Sequence, residues 1–332
     1  MSGKRTTDWP EVKLHVVTGK GGTGKSTVAA SLALALASTG KRVLLCEVEG
    51  RQGIARLFDV DPLPYAETRI ARGQPAGELW ALHIDAESGF LEYLSMYYKL
   101  GRGGRLLERF GVVEFVTTIA PGTRDVILTG KVFEAVQRNA RNKGANQYDA
   151  VVLDAPPTGR IAQFLNVSGE LAGLAKVGPI KQQADTMMTL FRSERTRVHL
   201  VTVLEEMPVQ ETTDAIAELR AADLRVGGIV VNQVRPHLLS DTELAAARAH
   251  KLDKATIRKQ LKQAGVSADN VLMDSLLSEA ADHAERRALE DAQRHLVARL
   301  GVPTYELPRL SQGIDLGSLY ELAAMLKEQG MA

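Results

Sequence analysis

Short, nearly unbroken apolar runs recur along this chain at residues 12–18, 42–48, 79–85, 150–154, 198–204, 226–232 and 304–307. Runs of this length with no polar face predict strands buried on both sides, as in parallel sheets. Longer stretches of helical composition separate them. The first, 26–38, is rich in Ala and Leu, which are strong helix formers, and it ends at Gly40. Strand, Gly-rich loop, helix and strand in succession make a βαβ unit. Its repetition predicts an α/β fold, a doubly wound and mostly parallel sheet with helices on both faces.

Two intervals break that rhythm. Residues 86–148 contain "EYLSMYYKLGRGGRLLERFG" and residues 165–196 contain "KQQADTMMTLF". Both follow the carboxyl ends of predicted strands, the edge where such sheets bind ligands. Together they predict an inserted α-helical subdomain above that edge, within one domain spanning 1–332. A third interval, 240–300, is polar, with stretches such as "HAERRALEDAQRH", and predicts a surface helical pair.

Composition narrows the setting. Of 332 residues, 45% are hydrophobic and 24% charged, as in soluble globular proteins. A net charge of +1 gives no global pull toward nucleic acid or membrane. The opening "MSGKRTTDWPEV" lacks the apolar core of a signal peptide. No apolar stretch approaches the roughly 20 residues needed to span a bilayer. One cysteine, Cys46, excludes a disulfide framework or a cysteine-ligated metal site within one chain. These features predict a cytoplasmic protein with no integral membrane span and no nucleic-acid partner.

The chemistry concentrates after the first strand. Residues 19–26, "GKGGTGKS", fit G-x-x-x-x-G-K-S/T between a strand and a helix, the context a phosphate loop requires. Gly19, Gly21, Gly22 and Gly24, with Thr23 and Thr27, let backbone N–H groups approach the phosphates at the helix N-terminus. Lys25 is placed for the β- and γ-phosphates and the Ser26 hydroxyl for Mg²⁺, so the cofactors are a nucleoside triphosphate and Mg²⁺. Asp154, ending a strand in "YDAVVLDAPPTGRIAQFL", is placed to hold the Mg²⁺ hydration shell. A second lysine, Lys20, has no role left at the inner phosphates. Either it is a solvated loop lysine, or it reaches a second nucleotide across a dimer interface as a catalytic cation.

The pattern K-G-G-x-G-K-S/T resembles the deviant P-loop ATPases, and D-A-P-P-T-G at 154–159 resembles switch II of their arsenite-pump and tail-anchored-protein-targeting branch. Later landmarks follow in order: "VTVLEEMPVQETTDAI" with Glu211, "GGIVVNQV" with Asn232, and "YELPRLSQGIDLGSL" with Pro308. The resemblance covers about 14–326. It implies an ATP-hydrolysing dimer in which Lys20 crosses the interface, Asn232 reads adenine, Pro308 packs near the base and Glu211 lies at the nucleotide. It also implies a helical subdomain that engages a hydrophobic or membrane-protein client. Taken alone, Asn232 could also cap a turn after its strand, and Glu211 could be a helix N-terminal acid.

The chain departs from that family in two places. Where relatives carry D-P-A-H, it reads "EVEGRQG", which puts Glu49 at the water-orienting position. The extra methylene predicts slow hydrolysis. Arg51 beside it is either a phosphate contact or a solvated side chain. The zinc-binding C-x-x-C is absent, and there is one phosphate loop rather than a tandem pair. The second chain is therefore an identical copy or a paralogue. Met96, Met187 and Met188 suit either a client groove or the core between helices. Arg102, Arg105 and Arg109 either meet acidic headgroups or are merely solvated. Two competing readings are a nucleotide-binding regulatory subunit with little turnover and a Min- or Par-type positioning ATPase.

Overall fold

A computed structural model describes residues 7–73, 76–98, 123–138, 144–166, 179–311 and 313–332. The described strands are β1 (Leu14–Gly19), β2 (Arg42–Glu47), β3 (Thr68–Arg72), β4 (Glu78–His83), β5 (Ala150–Asp154), β6 (Thr196–Thr202), β7 (Val226–Val234) and β8 (Thr304–Pro308). They form one sheet in the order β3-β4-β2-β5-β1-β6-β7-β8. All neighbours run parallel except β3, which is antiparallel to β4 at the edge.

All seven expected strands are present, with ends shifted by a few residues. The eighth, β3, was not expected. Its sequence "TRIAR" contains no apolar run, and none of its residues is fully buried. An edge strand has only one partner and can stay polar, so the buried-strand signal does not mark it.

Helices cover both faces. One apolar layer is built from α1 (Lys25–Ala37), α2 (Gly53–Leu57) and α11 (Leu316–Glu328) with Val17, Leu45 and Val152 of the sheet. Ten consecutive residues of α1, Val28 to Ala37, are buried, because the helix lies between the sheet and α11. The opposite layer takes α4 (Thr123–Gln137), α5 (Thr158–Leu165), α6 (Pro179–Arg192) and α7 (Glu206–Ala221) against Leu14, Val16 and Leu153.

Of the expected insertion, α3 (Ala86–Tyr98), α4 and α6 are helical. Met187 and Met188 are 2% and 4% exposed and lie in the second apolar layer with Phe191. They are core residues, so they do not line a groove. The Met96 side chain and Arg102, Arg105 and Arg109 lie outside the described residues.

The polar interval forms three helices rather than a pair: α8 (Asp241–Arg248), α9 (Lys254–Gln263) and α10 (Asn270–Ala298). Asp253 and Asp269 start the last two by accepting from the N–H groups of Ala255 and Leu272. Two local caps thus divide a stretch whose charge pattern alone looks continuous. Among the described residues, no helix is long and apolar enough to cross a membrane.

Candidate nucleotide site

The site forms at the carboxyl ends of β2, β5, β1, β6 and β7. At the start of the loop after β1, a Cβ on Gly19 would lie 2.2 Å from the Val201 carbonyl oxygen, so only glycine lets the loop lie against β6. Gly22 and Gly24 have φ of 90° and 87°, in the left-handed region. The Thr23 hydroxyl donates to the Lys20 carbonyl at 2.8 Å and closes the loop on itself. Gly24 is the N-cap of α1, so no capping side chain competes for the first-turn N–H groups. They remain available to an anion.

Two side chains brace this cradle. Asn232, 6% exposed near the end of β7, donates from Nδ2 to the Thr23 carbonyl at 2.8 Å. The Thr18 hydroxyl donates to the Pro156 carbonyl at 2.6 Å and joins the loop strand to the turn after β5.

Acidic groups gather on the β2–β5 side. The Ser26 hydroxyl donates to Asp154 Oδ2 at 2.6 Å. Asp154 Oδ1 is buried and has no hydrogen-bond partner. Burial pushes the Asp154 carboxyl up to about 6; Glu47 and Glu49 add to the shift, while the Ser26 hydroxyl and Lys25 oppose it. A buried carboxylate with one free oxygen beside a serine hydroxyl suits Mg²⁺, which takes one or two carboxylates and completes its shell with phosphate and water. Among the described residues, no group of three or more His, Cys, Asp or Glu side chains forms a complete protein metal cage.

Lys20 lies on the other side. Its Nζ meets Glu211 Oε1 of α7 at 2.6 Å, and the Thr158 hydroxyl at the start of α5 donates to Glu211 Oε2 at 3.4 Å. Glu211 therefore engages the second lysine and the turn after β5. A cavity of about 340 Å³ opens beside Lys20, Gly22 and Thr23, walled by Pro208, Gln233 and Arg235. Asn232, Glu211 and Pro308 are not among its lining residues. Pro308 ends β8 beside β7, where the Arg309 N–H donates to the Val234 carbonyl.

Glu49 is half-buried just beyond β2, and Arg51 is exposed. The loop that carries them is clamped by Gln52, at φ 53°, whose Oε1 accepts from the Leu63 N–H and whose Nε2 donates to the Leu63 carbonyl. Nothing local in the sequence announces this clamp.

Sequence reasoning passed over Glu47. It is the last residue of β2, 2% exposed, and stands in register with Asp154 of β5. An acid at a parallel strand's carboxyl end beside a phosphate loop is the same signal that singled out Asp154. In Glu47 it was hidden inside the run "RVLLCEV".

A glycine-lined cradle at a helix N-terminus, with a hydroxyl and a carboxylate on adjoining strand ends, defines a P-loop nucleotide-binding protein. Comparison with known proteins sharpens that class. The model of the anion-transporting ATPase family matches residues 12–194 and 180–264. The chain belongs to that family and is an ATPase.

It is 51% identical to the ATPase BagA of Mycobacterium tuberculosis, over 99% of this chain and 98% of that protein. It is 26% identical to an arsenical pump-driving ATPase of Escherichia coli, over 78% of this chain and 46% of that protein. It is 24% identical to the ATPase GET3B of Arabidopsis thaliana, over 71% of this chain and 67% of that protein.

Proposed function

We propose that this ATPase works as a dimeric switch, either of two copies or of one copy with a paralogue, in a cytoplasmic setting. Its nucleotide state governs capture of a hydrophobic or membrane-protein client by the helical insertion.

The observation that supports this reading is the position of Lys20. At the foot of the loop Ser26 bonds Asp154 on the β2–β5 side, whereas Lys20 is held by Glu211 on the β6 side. A cation held on that side, away from Ser26 and Asp154, supports a role toward the nucleotide of a second chain.

Within each chain, the first-turn N–H groups of α1 and Lys25 bind the terminal phosphates. Ser26 and Asp154 would hold Mg²⁺, which offsets phosphate charge when bound. Glu49 orients the attacking water, and its added methylene makes turnover slow. Asn232 keeps its Oδ1 available for the adenine amino group while its Nδ2 braces the loop. Pro308 packs near the base. The cavity beside Lys20 falls within the size range of small-molecule pockets.

A route from this site to the insertion begins at α5. Arg160 follows Thr158 on that helix and pairs with Asp125 of α4 at 3.1 Å. Asp125 is buried, so the start of α5 is fastened to an insertion helix. A shift in Thr158 that follows Lys20 or Asp154 would move α4 with it.

Sedimentation tests the proposal. A non-hydrolysable ATP analogue with Mg²⁺ should convert the protein to a dimer. Lys20→Ala should weaken that dimer about tenfold, equivalent to about 1.4 kcal/mol. A wild-type chain that stays monomeric with nucleotide, and recovers no second P-loop chain from its own cells, contradicts it.

A further inference from the structure

From the row of strand ends His83–Glu47–Asp154, we infer that Glu47 is a second carboxylate of the Mg²⁺ site and ties metal occupancy to the loop carrying Glu49. The inference rests on the Mg²⁺ site proposed above and adds to it a residue that the phosphate-loop and Asp154 motifs do not contain.

Register places the group. Glu47 pairs with Asp154 on one side and His83 on the other, and partners in a parallel ladder project to the same face. Val17, also in register with Asp154, belongs to the layer under α1, so this row faces the first turn of that helix. Ser26 is in that turn and bonds Asp154.

Glu47 itself is 2% exposed, and its two oxygens have different roles. Oε1 accepts from the Gly53 N–H at 2.7 Å, at the start of α2. Oε2 is buried without a hydrogen-bond partner, as is Asp154 Oδ1. His83 Nδ1 lies 3.7 Å from Oε2, beyond hydrogen-bond distance, and is itself unpartnered.

Two neighbouring buried carboxylates, each with a free oxygen, form an arrangement that is costly without a cation between them. One lysine of the loop is available, but it is placed for phosphate. A divalent cation held by Ser26, Asp154 and Glu47 resolves both orphaned oxygens at once. Mg²⁺ sites commonly use one or two carboxylates together with substrate oxygens.

The Gly53 contact gives this carboxylate a second consequence. A Cβ on Gly53 would lie 3.3 Å from Glu47 Oε1 and 3.8 Å from Ser26 Oγ, so the backbone of the Glu49 loop lies against the metal position. A cation that draws Glu47 toward Asp154 draws this backbone with it. Glu47 is therefore a positioning residue for Glu49 as well as a metal-site carboxylate.

Glu47→Gln separates these roles, because glutamine keeps an oxygen for the Gly53 N–H and loses the charge. The probe is Mn²⁺ with saturating ADP, followed by the free-Mn²⁺ resonance in electron paramagnetic resonance, beside ADP titration in a metal chelator. The expected result is Mn²⁺ affinity lowered about tenfold, within the range for groups supporting a metal site. ADP affinity without metal should stay equal or rise. The metal-free variant should also unfold at a higher temperature, since one of two facing carboxylates has been neutralised. Mn²⁺ affinity within twofold of wild type overturns the inference. So does a variant that fails to fold or melts lower, because Glu47 would then be only an acceptor for Gly53. Loss of ADP binding in the chelator as well would instead count against the nucleotide site on which the inference rests.

Discussion

Gly24→Ala weakens ATP binding about 100-fold or more in a chain that still folds. Gly24 sits at φ 87°, where an L side chain costs roughly 1–2 kcal/mol. Its new Cβ would lie 2.3 Å from Asn232 Nδ2, which donates to the Thr23 carbonyl. Asn232 is 6% exposed and has little room to retreat. If its amide is displaced, a buried donor loses its acceptor, at roughly 1–3 kcal/mol. If the amide holds, the loop lifts and its N–H groups no longer converge on the phosphates. A loss of about 3 kcal/mol corresponds to about 10²-fold in affinity. Calorimetric ATP titration beside far-ultraviolet circular dichroism checks this. Unchanged affinity would mean that the cradle tolerates the side chain.

Acidification below pH 6.5 destabilises the protein through a second, unrelated feature. His15 and His199 stack at 5.3 Å between ring centroids, with His15 Nδ1 3.1 Å from His199 Nε2. The Gly228 N–H donates to His199 Nδ1, so His199 carries its proton on Nε2 and donates to His15. Both rings are fully buried.

Burial, with Arg197 adding, pushes the His199 imidazole down to about 3. Burial also holds His15 well below its usual value, with His199 and then Lys41 adding. A depressed imidazole pKa means that the unfolded chain binds the proton first. The stability this confers is intact above about 6.5 and is lost as pH falls toward the folded value. Each histidine contributes a slope of about 1.4 kcal/mol per pH unit in that window. Asp154 has the opposite sign, since its raised pKa favours the folded state as pH falls from about 6 toward the ordinary carboxylate range. The pair outweighs it by about one proton. Urea unfolding midpoints between pH 7 and 4.5 should therefore decline, and the double variant His15→Gln, His199→Gln should flatten the decline. A slope equal to wild type in the double variant would rule the pair out as its source.

The parts of this molecule that were legible in the sequence are those whose chemistry is local. The phosphate loop needs glycines, a lysine and a serine at fixed spacing, and these lie together in residues 19–26. Buried parallel strands reveal themselves through apolar runs, which is why β3 escaped notice: an edge strand has no such run. The division of residues 240–300 into three helices depended on Asp253 and Asp269 acting as caps, a signal present in the sequence but masked by the surrounding charge.

Long-range partners were not legible. That Lys20 meets Glu211, that Gln52 clamps Leu63 and that Arg160 fastens α5 to α4 through Asp125 are consequences of strand order. Asn232 shows both limits. Its motif marked it as a nucleotide residue, while its contact with the Thr23 carbonyl emerged only from the fold. The sequence pattern of Met187 and Met188 favours a core over a groove, and packing assigns them to the core.

In the proposed dimer, Lys20 serves the nucleotide of a second chain. Turnover of Lys20→Ala, of Glu49→Gln and of the two mixed under conditions that let subunits exchange addresses that role most directly. Each variant alone should be inactive. The mixture should recover activity, because one of its sites joins an intact Glu49 to a lysine from the neighbouring chain. A mixture that stays inactive after verified exchange, beside an active wild type, would show that Lys20 acts only within its own chain.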